Sequence, residues 1–477
     1  MTWPNVLILD YMITTEQITP ELEMTARQYV NIGYQRLLTF ESPGNGFDWY
    51  GSEPGKPILT SYGLMQFADM EKVQYVDPAM IQRTQQWLLG KQNPDGSWPP
   101  DDHDLFNVLN TTLQSTAYAT WALIHSGYSL NDPRIIKGKD YIKAQAEGTE
   151  DCYTLALCAN ALLEKNPSDP AGLAILDRLQ AKKVEDGDAF YWTSGGQSFT
   201  YSWGSYLNME TTAMTTLAFM TANWRYPKTI EGAINYIIRG KQASGLWGQT
   251  QATVLSLRVL MMAMSGQTEE IDSQIIITIN GVTLDKDDMP ILKVNPVDTR
   301  VLRLIELQPY TIEGDNTVGI SLVGDGNLLY QIVGTYFLPW EQVILPSSPP
   351  LSIDLQYDRT TLTVDDTISC TVTVTNNIPD SVTRIGMIDL GIPPGFQVFW
   401  EDFQKAIEEE RIFKYESTNR QLSLYLHPIS YGTPISITYR LQAKYPLKVS
   451  TPKSSTYNYY NPDARDETKP IVLTVTN

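Results

Sequence analysis

Cysteine is scarce in this chain, with three residues, Cys152, Cys158 and Cys370, among 477. Three cannot pair off, and the first two stand six apart on a predicted helix, pointing to different faces. Both facts argue against a disulfide framework. A core this large needs no staples, so the scarcity leaves the compartment open. Basic residues are also in deficit: 35 Lys and Arg face 54 Asp and Glu, for a net charge of −19. An acidic surface repels nucleic-acid phosphate and anionic lipid, which argues against both as partners. Long apolar runs are missing; none approaches the roughly 20 residues of a membrane helix. The opening MTWPNVLILDYM has only a short apolar stretch, lacks a basic flank and runs into Asp10, unlike a signal peptide.

The length indicates two to four domains. Texture changes near Gly266: before it apolar residues recur at helical spacing, and after it they alternate. The helical part comes in pairs. A mixed, charged run such as PAMIQRTQQWLLGKQ is followed by a loop with Gly and an aromatic residue, then by a nearly uncharged run such as LNTTLQSTAYATWALIHSG. Charged helices face water and uncharged ones are buried. The pairs therefore predict outer helices stacked around inner ones, an α/α toroid, at a period of roughly 40 to 55 residues. The loops KQNPDGSW (Lys91–Trp98) and KQASGLW (Lys241–Trp247) are near copies. Each is expected to end an outer helix and plug the gap before an inner one with its tryptophan. PNVLILDYM is also inner-like, giving six inner helices against five outer ones. The expectation is a six-pair ring entered part-way, so that the chain is a fragment; a five-pair ring with an extra helix is the alternative.

Beyond the toroid, SQIIITINGVTL carries the hairpin signal Asn280-Gly281. The stretches ILKV, TRVLRLIEL, NTVGISLV and NLLYQIVGTYF also read as strands. After the Pro/Ser linker Leu345–Pro350, alternating runs from LSIDLQYD to PIVLTVTN predict a β-sandwich, interrupted by a helix at Trp400–Glu410. The fold expectation is thus an α/α toroid followed by two all-β domains.

In order, these segments resemble the C-terminal part of an alpha-2-macroglobulin or complement-type thioester protein. PNVLILDYM with ITPELEMTARQYVNIGYQRLL, WLLGKQNPDGSW, NMETTAMTTLAFMTA and GLWGQTQATVLSLRVL resemble its thioester-containing domain. IDLGIPPGFQVFWEDFQKAIEEE and STYNYYNPDA resemble its terminal macroglobulin, receptor-binding-like domain. The resemblance implies domains at 1–266 (a toroid truncated at its N-terminus), 267–343 (half of a CUB-like domain) and 344–477 (the macroglobulin β-sandwich). The family's reactive Cys-x-Glu-Gln is absent: the three cysteines read CYTL, CANA and CTVT. In the family that motif lies just before the segment matching PNVLILDYM, hence upstream of Met1.

The resemblance also places candidate residues. The face where outer-to-inner loops open carries Trp49, Tyr50, Trp98, Tyr191, Trp192, Trp203, Tyr206 and Trp247, as a seat for a thioester loop or as packing between helix ends. Glu210, Gln249 and Gln251 line the rim or cap helices. His103 in the DDHD loop matches the complement histidine that attacks the thioester, with Asn107 in an alternative register and a solvated loop histidine as the plain alternative. Lys405, with Lys414 beyond it, stands where animal members present receptor-binding lysines, although the surrounding acids favour a solvated helix. No metal site or cofactor is expected.

The leading expectation is a non-enzymatic module of a broad protease inhibitor or opsonin, microbial and extracellular or periplasmic. It would act with upstream macroglobulin domains and capture target proteases or surface nucleophiles. Gln92-x3-Gly96-x-Trp98 also satisfies the triterpene-cyclase repeat, though the second copy, from Gln242, is one residue short. A cyclase needs an acidic initiator in the toroid, and the Asp-x-Asp-Asp of Asp285–Asp288 lies in the β region. A non-covalent scaffold is the third reading.

Overall fold

In this computed structural model the described residues are 2–15, 18, 20–49, 51–100, 111–196, 198, 202, 204–242, 245–265, 273–284, 292–294, 305–324, 330–336, 338–343, 348–383, 385–417, 421–459 and 461–477. They form two compact units, Met1–Val333 and Gly334–Asn477.

The first unit opens with eleven helices among the described residues. They are α1 (Thr2–Thr14), α2 (Pro20–Leu38), α3 (Pro57–Met70), α4 (Pro78–Gly90), α5 (Thr112–His125), α6 (Pro133–Ala146), α7 (Cys152–Leu163), α8 (Pro170–Ala181), α9 (Gly204–Thr221), α10 (Pro227–Arg239) and α11 (Thr250–Ser265). The odd helices pack in succession, and α11 returns to α1, closing a ring. The even helices brace it from outside: α2 on α1, α4 on α3, α6 on α5, α8 on α7 and α10 on α9. Burial follows the charge pattern. All twelve residues of α7 are buried, whereas α8 buries one face through Gly172, Ile175, Leu176 and Leu179. Each large aliphatic side chain so buried contributes roughly 1.5–3 kcal/mol. Outer helices start where Asp caps a proline-led first turn: Asp77, Asp132 and Asp169 accept backbone N–H bonds ahead of Pro78, Pro133 and Pro170.

A hairpin of β1 (Val184–Asp186) and β2 (Ala189–Tyr191) precedes α9, and Tyr191 stacks on Tyr236 of α10 at 4.8 Å. After the ring come β3 (Ser273–Ile279), β4 (Val282–Thr283), β5 (Leu292–Val294) and β6 (Val318–Val323). The central β3 pairs antiparallel with all three others. Asn280 and Gly281 turn the hairpin with φ of 52° and 79°, as their residue types demand. Two expected strands differ. The described part of NLLYQIVGTYF, Tyr330–Tyr336, carries no strand, and Tyr330, Ile332, Val333 and Tyr336 are exposed. Alternation makes a strand only where a ladder partner exists, and none pairs this stretch among the described residues. Likewise 305–307 of TRVLRLIEL is not strand.

The second unit is a β-sandwich. Its elements are β7 (Leu351–Tyr357), β8 (Thr361–Thr363), β9 (Thr367–Asn376), β10 (Val382–Thr383), β11 (Gly386–Gly391), β12 (Phe396–Val398), α12 (Trp400–Glu408), β13 (Ile412–Ser417), β14 (Gln421–Leu426), β15 (Ile429–Ser430), β16 (Ile435–Ala443), β17 (Leu447–Ser450), β18 (Ser455–Asn458), β19 (Asn461–Glu467) and β20 (Val472–Thr476). One sheet runs β13-β14-β11-β18-β19 and the other β12-β16-β9-β7. A third runs β17-β20-β8, and β10 pairs β15. Strict alternation in β9 sends Ile368, Cys370, Val372 and Val374 inward to meet Ile388, Leu424 and Tyr439. The helix α12 packs on β13 and β16 through buried Phe403 and Ala406.

Candidate functional site

Three loops that lead from an outer to an inner helix share one six-residue turn. Ser42, Asn93 and Gln242 each donate their amide to the carbonyl four residues on, at 2.7, 2.8 and 2.9 Å. Asn45, Gly96 and Gly245 donate back to those same residues, and each has positive φ, at 71°, 91° and 84°. The sixth residue is a buried aromatic, Phe47, Trp98 or Trp247. Its amide donates to a threonine Oγ1 of the coming inner helix: Thr60 at 2.9 Å, Thr116 at 2.9 Å and Thr253 at 3.1 Å. Trp192, reached through the β1–β2 hairpin, makes the same bond to Thr212 at 3.1 Å. The indole Nε1 of Trp98, Trp192 and Trp247 donates to the outer-helix carbonyls of Leu88, Leu179 and Ile237, at 2.7, 2.7 and 2.6 Å. Each tryptophan therefore ties the end of one helix to the start of the next. The second copy of the repeat is not short in the turn itself, because Gln242 stands opposite Asn93 rather than Gln92. Gln92 instead bonds the Gly96 and Arg134 carbonyls.

Inside the ring lies a polar interior. Glu210 of α9 is 0% exposed; it accepts from the Tyr153 hydroxyl at 3.1 Å and from Ser198 Oγ at 3.3 Å. Burial, together with the Glu210 charge, pushes the hydroxyls of Tyr62, Tyr118 and Tyr153 above the ordinary phenol range. The nearby Gln251 acts in the opposite direction on Tyr118. The hydroxyls of Ser115, Ser202 and Ser256 are buried with no hydrogen-bond partner among the described residues. Neutral phenols donate hydrogen bonds and are poor nucleophiles, so the three tyrosines serve here as buried donors.

A second cluster joins the C-terminal ends of α3, α5 and α7 to α1 and α11, and sequence reasoning missed it. Asp69, at the end of α3, accepts from Trp3 Nε1 at 2.8 Å, from His125 Nε2 at 2.9 Å, from Lys72 Nζ at 3.0 Å and from Arg258. Glu164, just past α7, meets His125 Nδ1 at 3.1 Å and Trp121 Nε1 at 3.2 Å. Burial alone would raise both carboxyls. Arg258, His125 and Lys72 outweigh it at Asp69, and His125 chiefly does so at Glu164, so both sit below the usual range. The signal was present in the sequence: FADM, LIHSG and LLE each end an inner run with one ionisable residue, and Arg258 is the lone charge in its apolar helix.

Among the expected residues, Trp49, Tyr206 and Gln249 are half-buried at the loop ends, and Tyr206 OH receives Gln242 Nε2 at 3.3 Å. Tyr191 lies against the outer helix α10, away from the interior. Tyr50, His103, Asn107 and Trp203 lie outside the described residues, as do Asp285–Asp288. Lys405 is well exposed on α12, 3.7 Å from Glu409; Lys414 lies 2.5 Å from Glu416 and over the Tyr425 ring. Among the described residues no group of His, Cys, Asp and Glu is placed to hold a metal ion, and no helix is long and apolar enough to cross a membrane.

A closed ring of inner helices braced from outside, followed by β-sheets and a β-sandwich, defines an α/α toroid protein with all-β domains. The chain belongs to the family of the A-macroglobulin TED domain, whose model matches residues 1–262; the A-macroglobulin receptor binding domain matches residues 381–469. It is 23% identical to ovostatin of Gallus gallus over 96% of its own length, which spans 31% of that protein. Native alpha-2-macroglobulin of Escherichia coli, solved from domain MG7 to the C-terminus, superposes with a TM-score of 0.62 at 12% identity, covering 99% of this chain and 72% of that one. Salmonella alpha-2-macroglobulin reacted with methylamine gives 0.64 at 15% identity, covering 100% of this chain and 30% of that one. These structural likenesses establish the fold.

Proposed function

We propose that this segment shields and presents an internal thioester carried by residues that precede Met1 in the full-length protein, as part of a macroglobulin-type trap for proteases or surfaces. In this reading 1–266 is the thioester-containing domain, 267–343 the CUB-like region and 344–477 the terminal macroglobulin domain. The module is not a catalyst; it works outside the cytoplasm beside upstream macroglobulin domains. The observation that carries the reading is the buried polar interior of Glu210, Tyr153, Tyr118 and Gln251 within the ring. Its phenols stay protonated, and burial also pushes the Cys158 thiol up to about 12, so neither phenolate nor thiolate competes for the acyl group. On exposure, an amine nitrogen of the target bonds to the acyl carbon. The carbon–sulfur bond breaks, and sulfur leaves as a thiol with the amine's proton. Rim residues Trp49, Tyr206 and Gln249 would contact the thioester loop.

The test uses the full-length natural product. Its sequence before Met1 is determined, and its mass is taken before and after methylamine. Cys-x-Glu-Gln, a gain of one methylamine and one new thiol are expected. Absence of the motif together with an unchanged mass overturns the reading.

A further inference from the structure

The first turn of α1 is gripped from three sides. The buried indole of Trp3 donates to Asp69 Oδ2 at 2.8 Å. Its ring meets Tyr62 edge-on at 4.8 Å, and the Arg258 guanidinium lies over it at 5.0 Å. Gly33 of α2 lets Thr2 come close; a Cβ at Gly33 would sit on the Thr2 side chain. Two of the three contacts on Trp3 converge on one carboxylate, because Arg258 also bonds Asp69. Asp69 is 1% exposed, so its remaining charge must be met inside the protein.

His125 is what meets it. Each imidazole nitrogen faces a carboxylate, Asp69 at 2.9 Å and Glu164 at 3.1 Å. A neutral imidazole has one N–H and one lone pair, so one of these contacts would set lone pair against lone pair. Only the imidazolium donates to both. The charged groups around it are Asp69 of α3 and Lys72 just past it, Glu164 beyond α7, Arg258 of α11 and, through Lys72 and Asp69, Asp10 of α1. Three acids and two bases leave one negative charge, which the His125 proton balances. Uptake of that proton is favoured in the fold: burial opposes it, but the bonds to Asp69 and Glu164 prevail.

We propose that Asp69 and His125 are positioning residues that fix the first turn of α1, so that protonation of His125 sets how tightly the acyl group before Met1 is held. The proposal rests on the thioester reading above. With the proton in place, five inner helices, α1, α3, α5, α7 and α11, are tied through one network. Without it, the seam between α5 and α3 or between α5 and α7 opens, Asp69 loses a donor, and its hold on Trp3 weakens. The acyl group then becomes easier to reach as pH rises through the His125 transition, over and above any gain in free amine.

The experiment measures methylamine uptake and thiol release by the full-length protein from about pH 6 to about pH 8.5, in wild type, His125→Gln and Trp3→Phe. Rates are divided by free-amine concentration. The ratio of His125→Gln to wild type is expected to be roughly tenfold or more at the acidic end, the worth of one charge-assisted hydrogen bond, and to fall toward one at the alkaline end. Trp3→Phe, which removes the indole N–H together with part of the ring, is expected to react faster than wild type throughout. Equal rates and equal pH profiles in all three, with one methylamine taken up by each, overturn the clamp and leave the thioester reading standing. Should His125→Gln not fold, an unchanged rate in Trp3→Phe overturns it alone. A wild-type protein that takes up no methylamine at any pH removes both.

Discussion

The indole nitrogen of Trp98 donates to the Leu88 carbonyl at 2.7 Å, so a loop side chain closes the end of the helix that precedes it. Leu88 sits in the last turn of α4, where its carbonyl also accepts the Lys91 amide at 3.1 Å. Removing the indole takes away the second of its two donors. Trp98→Phe should cost about 0.5–1.5 kcal/mol, and Trp98→Ala about 3–5 kcal/mol, because a cavity follows. Urea unfolding of this chain reads both. A loss in Trp98→Phe below about half a kcal/mol would mean the bond is dispensable.

The shared turn makes a comparative prediction. Gly96 and Gly245 occupy the same place at φ of 91° and 84°. A Cβ on Gly96 would lie 2.5 Å from the Lys137 carbonyl oxygen, whereas one on Gly245 meets nothing within 4 Å. Gly245→Ala therefore carries only the left-handed backbone penalty, about 1 kcal/mol. Gly96→Ala adds a backbone clash and should be destabilised well beyond that. Equal midpoints for the two variants would contradict the geometry.

The ring was legible because charge separates α4, α6, α8 and α10 from α3, α5, α7 and α9, and solvent alone sorts them. The plugs were half legible. The sequence shows Gly and Trp in register, but not that the indole reaches back ten residues to Leu88 or Ile237. The Asp69–His125–Glu164 network was not read at all, since its members stand 56 and 39 residues apart and meet only when the ring closes. Tyr330–Tyr336 misled for the converse reason: its alternation is intrinsic, but a strand also needs a neighbour.

That network makes the stability of the chain depend on pH in two directions. Asp69 and Glu164 are held low, so their contribution is complete above about pH 5 and is lost as pH falls. His125 is raised, so its contribution is complete below its unfolded value of about 6.5 and is lost as pH climbs through the folded one. The two windows overlap in mildly acidic solution. The urea midpoint is expected to peak near pH 6 and to decline toward pH 8.5, with the alkaline decline flattened in His125→Gln. A midpoint that holds constant from pH 6 to 8.5 in wild type would show that His125 has no proton to lose there.

On the second unit, Lys405 and Asp402 share α12 but differ in what they hold. Asp402 accepts the Arg440 amide at 2.8 Å and two guanidinium bonds, pinning α12 to β16. Lys405 has, among the described residues, only Glu409 at 3.7 Å. Asp402→Ala should cost about 1–2 kcal/mol, and Lys405→Ala less than about half a kcal/mol. A binding defect in Lys405→Ala would then report a partner rather than a loosened helix. A Lys405→Ala loss as large as that of Asp402→Ala would remove the distinction.

The three cysteines of this chain decide how a thiol count can be read. Cys152, Cys158 and Cys370 are unpaired and buried. Burial pushes the Cys158 and Cys370 thiols up to about 12 and raises Cys152 as well, so thiolate is scarce at neutral pH. A disulfide-exchange reagent should find none of them on the native chain within minutes and all three after denaturation. In the full-length protein, a thiol that titrates natively after methylamine then comes from outside this segment, as a thioester sulfur would. If one of the three reacts in the native chain, it should be Cys152, which begins α7 and is 7% exposed. Cys152→Ser would then restore a silent background without touching Glu210 or Asp69. Rapid native labelling of Cys158 would instead mean that α7, buried along its whole length, opens on the labelling timescale, and the ring would not be the water-tight wall an acyl group requires.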